Sequence, residues 1–185
     1  MSLELGISER LQPLLTQVKA FIEREIQPLE EEYFEQVSVG DRWTYTDRQT
    51  EIREGLKVKA RAEGLWNFFM TNSEDGPGLT NVEYAYLAEE MGRSHLSAEV
   101  FNCAAPDTGN MEVLHKYGTD AQKKEWLEPL MEGEIRSAFA MTEPDEACSD
   151  ATNVSCTAVL EGDEWVINGD KHYISGAGDP RCKIL

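Results

Sequence analysis

Basic residues are scarce in this 185-residue chain: 17 Lys and Arg stand against 35 Asp and Glu, a net charge of −18. A surface of that sign repels phosphodiesters and anionic lipid alike, which argues against nucleic acid or an anionic membrane as the main partner. An anionic ligand fits only where backbone N–H groups or a local cationic patch receive it. No apolar run approaches the roughly 20 residues that cross a bilayer. The first residues, with Glu4, Glu9 and Arg10, lack the apolar core of a secretion signal and the Arg-rich, acid-poor pattern of a transit peptide. Cys103, Cys148, Cys156 and Cys182 contain no C-x-x-C pair and no zinc-like spacing with His95, His115 and His172. Reduced thiols, satisfied histidines and no metal site are therefore expected. Repeats and low-complexity tracts are also missing. These absences describe an intracellular soluble protein, cytoplasmic, or mitochondrial or peroxisomal in a eukaryote.

What is present first is helical periodicity. Leu11, Leu14, Leu15, Val18, Phe21, Ile22 and Ile26 recur at helical spacing, with Ser8 as N-cap and Pro28 near the end. Thr46-Asp-Arg-Gln49 has the form of a capping box and opens a second helix that stops at Gly64. Leu65, Trp66, Phe68 and Phe69 form an apolar knot expected in the core. After a loop at Asp75-Gly-Pro-Gly78, Thr80-Asn-Val-Glu83 caps a third helix to Gly92. Leu96–Ala105 and Asp107–Tyr117 read as two helical pieces split by Pro106, and Thr119-Asp-Ala-Gln122 caps a last helix that ends before Gly133.

Beyond Gly133 the period changes to that of strands. Arg136–Met141 and Ser155–Leu160 are strand-like, while Trp165–Ile167 and His172–Ile174 flank Asn168-Gly169, the strongest short hairpin signal in the chain. The expected fold class is α+β: an all-helical domain over residues 1–133, then the first strands of an incomplete antiparallel β-domain over residues 134–185. So few strands leave open edges, and a truncated protein is expected.

The candidate chemistry lies in Phe139-Ala-Met-Thr-Glu-Pro-Asp-Glu-Ala-Cys-Ser149-Asp150. A planar redox cofactor needs close backbone approach and donors at the edge where charge accumulates on reduction. Thr142 and Ser149 offer hydroxyls, yet residue types alone equally describe an ordinary strand-to-loop transition. Phe139-Ala-Met-Thr-Glu-Pro with Ser149-Asp150, followed by Val166-Ile-Asn-Gly-Asp-Lys171 and Tyr173-Ile-Ser175, resembles the two signature segments of the acyl-CoA dehydrogenase family in order and spacing. Asp107-Thr-Gly-Asn-Met111 and Gly118-Thr119 are similar to its helical domain. The Ser149–Asn153 continuation and Gly176–Arg181 resemble the branch of family members ten and eleven.

That resemblance implies FAD as cofactor and hydride acceptor, and α,β-dehydrogenation of an acyl-CoA thioester. It implies an electron-transfer flavoprotein as acceptor and a homodimeric or homotetrameric parent enzyme of fatty acid metabolism. It places Phe139, Met141 and Thr142 along the flavin, and Tyr173, Ile174 and Ser175 at a second contact. It puts Cys148 and Ser149 in the cofactor loop, with Ser149 also meeting the substrate. Two departures accompany it. Asp145–Asp150 is one residue longer than the family's Gly-Ala-Gly-Ser-Asp loop and lacks glycine, and Tyr173 stands where most members have Trp. No residue matches the carboxylate base, which must face the acyl chain from the side opposite the flavin. The acidic cluster Glu143, Asp145, Glu146 and Asp150 is expected to be solvated. The chain alone is therefore expected to be inactive, with no catalytic residue of its own. A non-catalytic interaction module and, within the fold, an acyl-CoA oxidase or a nitroalkane-type oxidase are the rival readings.

Overall fold

Thr46, Thr80 and Thr119 each receive the N–H three residues on, and Gln49, Glu83 and Gln122 each reach back to the threonine N–H. Three reciprocal capping boxes thus start three helices where the sequence places them. The computed structural model describes residues 6–41, 43–71 and 76–185. Asp75, with which the expected loop begins, lies outside the described residues. The chain forms two compact units, residues 1–112 and 113–185.

The first unit is helical. α1 (Gln12–Phe21) passes through a π-turn, Ile22–Ile26, into α2 (Gln27–Glu35), so the expected stop near Pro28 does not occur. The reason is local. A proline ring clashes with the carbonyl four residues back in an α-helix. Here Gln27 N–H bonds instead to Ile22 O, five back, and the widened turn admits Pro28 immediately after it. The same device recurs in the second unit, where Glu128 N–H bonds to Lys123 O just before Pro129.

α3 (Asp47–Ala62) and α4 (Asn81–Met91) follow, then α5 (Ser97–Val100) and α6 (Asp107–Tyr117). The helix expected over Leu96–Ala105 shrinks to α5 because Asn102 takes a left-handed φ of 54°. Its amide donates to the Asn67 side chain at 2.8 Å, and Asn67 N–H meets Phe101 O at 3.0 Å. Asparagine tolerates this backbone best among residues with a Cβ. The unit's core gathers around Phe101, fully buried, with Phe21 and Phe68 rings each 5.4 Å away. Leu65, Phe68 and Phe69 are buried there, as the apolar knot predicts, while Trp66 is half-buried under the Arg61 guanidinium.

The second unit opens with the end of α6. α7 (Asp120–Gln122), the π-turn Lys123–Leu127 and α8 (Glu128–Met131) then form one further helical stretch. β1 (Arg136–Ser137) pairs in parallel with β4 (Cys182–Ile184), and β2 (Thr157–Glu161) pairs antiparallel with β3 (Glu164–Asn168). This is the α+β arrangement expected, with one parallel pair added.

The strand details need correction. Regular pairing after Gly133 stops at Ser137 rather than Met141, and His172–Ile174 is not a strand. The hairpin turns at Gly162-Asp163, since Glu161 faces Glu164, and not at Asn168-Gly169. Gly162 supplies φ +66° at the first central position of that two-residue turn. Gly169 serves a different need. A Cβ there would lie 2.8 Å from both Cβ and Sγ of Cys156, so glycine permits close backbone approach.

Candidate functional site

The segments 139–144 and 168–175 come together in the second unit through three contacts. His172 N–H donates to Thr142 O at 3.1 Å. Lys171 Nζ donates to Met141 O at 3.0 Å and to Glu143 Oε1 at 2.8 Å. Residues 141–143 are thereby joined one after another to residues 171–172.

Glu143 is the centre of this join and corrects the expectation that it is solvated. It is only 4% exposed. Its Oε2 accepts from Ser155 N–H at 2.8 Å and Ser155 Oγ at 2.7 Å, while Oε1 also accepts from Cys156 N–H at 2.9 Å. The Lys171 ammonium and these donors hold the carboxyl well below the usual range, at about 2. Lys171 is correspondingly raised by its hydrogen bond to Glu143. A buried carboxylate demands such company, because removal from water without partners costs more than one Coulombic contact returns. Asp145, Glu146 and Asp150 are exposed as expected. Asp150 caps the short turn at Ala151–Asn153 by accepting from Thr152 N–H and Oγ1, which lowers its pKa.

Around this centre the residues named for cofactor contact fall into two groups. Phe139, Thr142, Ser149, Tyr173 and Ser175 are exposed, and Met141 and Ile174 are half-buried. Cys148 differs, because its side chain is buried. Its N–H is likewise engaged, by Glu146 O, so Cys148 shapes the loop from within. Tyr173 is the most exposed of them at 88% and carries a left-handed φ of 55°, an outlier for a bulky residue. Its ring rests on His172, centroid to centroid 4.3 Å. The glycine-free loop closes without any left-handed residue, taking up its extra length in a tight turn in which Cys148 N–H meets Glu146 O at 2.9 Å.

Sequence reasoning missed Glu143 and Lys171 as a pair, although the i+1 position after Thr142 and the lysine after Asn168-Gly-Asp both sit inside the segments it singled out. Among the described residues, no group of three or more His, Cys, Asp or Glu is placed to hold a metal ion. No described helix is long and apolar enough to cross a membrane.

The family models for the acyl-CoA dehydrogenase N-terminal domain and middle domain match residues 8–134 and 138–185. The chain belongs to the acyl-CoA dehydrogenase family. Acyl-CoA dehydrogenase family member 10 of Mus musculus is 50% identical over 184 residues, covering 97% of this chain and 17% of the relative. Family member 11 of Gallus gallus is 49% identical over 181 residues, covering 96% and 22%. The chain thus spans about a fifth of the length of these curated relatives. A Mycobacterium abscessus structure solved as a candidate acyl-CoA dehydrogenase superposes with a TM-score of 0.88 at 52% identity, covering 97% of this chain and 46% of that one. A glutaryl-CoA dehydrogenase from Mycobacterium smegmatis, solved in complex with FADH2, shares the fold at 21% identity and a TM-score of 0.65, covering 91% of this chain and 39% of that one.

Proposed function

We propose that the chain carries the flavin- and thioester-facing wall of an FAD-dependent acyl-CoA dehydrogenase, which desaturates acyl-CoA thioesters between Cα and Cβ. The observation that supports it most is the join of the two family signature segments, which leaves Thr142, Ser149, Tyr173 and Ser175 exposed while the carboxylate that holds the wall is buried. The helical domain over residues 1–133 and the β-domain over residues 134–185 are the two layers of this reading.

The residues present fit an isoalloxazine. Thr142 is exposed with no hydrogen bond to its hydroxyl among the described residues, and Tyr173, also exposed, directly follows His172, whose N–H meets Thr142 O. Bound FAD supplies the acceptor for the β-hydride. Phe139, Met141 and Thr142 line one stretch of the ring, and Tyr173, Ile174 and Ser175 the other. Ser149 donates to the CoA-bearing substrate, and its main chain receives anionic groups of cofactor or substrate, while buried Cys148 holds the loop in shape beneath it. Glu143 takes no proton from the substrate, because its oxygens are saturated by donors and its pKa lies far below that of a base poised for neutral pH. The α-proton is left to a carboxylate that faces the acyl chain from the opposite side, and no residue of this chain takes that role. An electron-transfer flavoprotein is the proposed electron acceptor, a homodimer or homotetramer the proposed parent assembly, and fatty acid metabolism the proposed setting.

The saturation of Glu143 also favours a second reading, in which the isolated chain binds without catalysing. Titrating the purified chain with FAD and recording visible absorption tests the first reading. Bound flavin is expected, and Thr142→Val is expected to weaken it. A chain that takes up no chromophore refutes the flavin site, and an unchanged affinity in Thr142→Val removes that hydroxyl from its role.

A further inference from the structure

We propose that the Glu143–Lys171 pair is the positioning device of this wall, fixing the Thr142 contact against the Tyr173 contact without itself facing the ligand; this rests on the flavin reading above. The two contact sets come from segments separated by about thirty residues of chain, so their relative placement needs a cross-connection. Lys171 makes it with one ammonium, reaching Met141 O at 3.0 Å and Glu143 Oε1 at 2.8 Å on either side of Thr142. The adjoining His172 N–H closes the register on Thr142 O at 3.1 Å. Glu143 then extends the connection to a third segment through Ser155 and Cys156.

The backbone of Tyr173 gives an independent reason to locate a constraint here. A tyrosine at φ 55° that is 88% exposed gains little from burial. Such an outlier persists only where the surroundings over-determine it. Lys171 and His172, anchored to residues 141–143, immediately precede it. The Glu143 side chain is 3% exposed and that of Lys171 21%, so the carboxylate end of the pair is shielded from solvent and its geometry is specified rather than averaged. Pairing with two acceptors through separate N–H bonds is a task a lysine performs, an arginine can reproduce and a methionine cannot.

The test compares Lys171→Met with Lys171→Arg in the full 185-residue chain, reading FAD affinity and amide hydrogen exchange together. Lys171→Met is expected to speed exchange at the His172 amide, and to weaken FAD binding, each on the order of tenfold, with α3 exchange unchanged. Lys171→Arg is expected to restore both. Unchanged His172 exchange in Lys171→Met overturns the proposal, as does faster exchange with unaltered FAD affinity. A wild-type chain that binds no FAD refutes the flavin reading instead, and exchange then decides the positioning of Thr142 against Tyr173 by itself. If Lys171→Met also opens α3, Glu143→Gln supplies the same readouts, since it keeps the site filled but turns two of the four donors onto an amide N–H2.

Discussion

Gly169→Ala examines the packing beneath the candidate site with a single methyl group. An added Cβ would sit 2.8 Å from Cys156 Cβ, 2.8 Å from its Sγ and 3.0 Å from its Cα. Rotating the thiol relieves one of these contacts and leaves the other two, so the backbone must shift. Overpacking of this kind costs about 1–3 kcal/mol, which raises the population of locally opened molecules about 5-fold to about 150-fold. The shift lands on the site, because Cys156 N–H bonds to the same Glu143 oxygen that receives Lys171, two residues beyond Gly169. Hydrogen exchange followed by mass spectrometry should therefore show faster exchange over residues 156–172 and none over α3. Gly55→Ala is the control of opposite sign. Its Cβ meets nothing within 4 Å inside α3, and replacing a helical glycine should stabilise by about 0.5–1 kcal/mol. In the double variant Gly169→Ala with Cys156→Gly, two of the three close contacts disappear and most of the effect should be recovered, less the entropy of the added glycine. Unaltered exchange over residues 156–172 in Gly169→Ala would refute the close approach and with it the geometry assigned to Lys171.

Acid should loosen the wall in a defined direction. Glu143 titrates at about 2 when folded against about 4.3 for a free glutamate, so its stabilisation is complete above the free value and is lost as pH falls through the folded one. The thermal midpoint should drop between about pH 4 and pH 2, with Glu83, likewise lowered by Arg10 and Ser8, contributing in the same sense. Glu143→Gln should flatten that drop; an equally steep loss in the variant would remove Glu143 as its cause. Iodoacetamide should label Cys156 and Cys182 before Cys103, whose thiol is buried and pushed up to about 12; peptide mapping that finds Cys103 modified equally fast in the folded chain would contradict its burial. Thr46→Ala removes the α3 cap and should lower stability by about 1 kcal/mol in urea unfolding. No change in the midpoint there would mean that the cap is dispensable.

What the sequence made legible was decided within a few residues. Thr46, Thr80 and Thr119 announce helix starts because cap and responder are three apart, and the structure forms all three boxes. Pro28 misled because a proline reports only that the α-pattern must change, while the π-turn that accommodates it depends on the packing of Ile22 and Ile26, both fully buried. Asn168-Gly169 misled for a similar reason. Two turn-forming dipeptides lie close together, and the contact of Gly169 with Cys156 assigns the turn to Gly162-Asp163. The candidate segments themselves were legible as motifs. The partnership inside them was not, because Glu143 and Lys171 are 28 residues apart and burial of an ion pair is a property of the assembled chain.

That distance also separates two kinds of residue that a motif runs together. Thr142 is exposed and its hydroxyl has no hydrogen-bond partner among the described residues, so on the proposed flavin reading replacing it with valine removes a ligand contact and leaves the described hydrogen bonds intact. Glu143, its neighbour, is buried with its oxygens taken up by Ser155, Cys156 and Lys171, so its replacement disturbs those residues first and, on the same reading, the cofactor only through them. Adjacent positions should accordingly split in their effects: Thr142→Val should alter FAD affinity at constant thermal midpoint, and Glu143→Gln should alter both. Measuring midpoint and affinity for the two variants side by side distinguishes a residue that binds from one that holds. A matched loss of stability in Thr142→Val would place its side chain within the fold and refute the division drawn between the two.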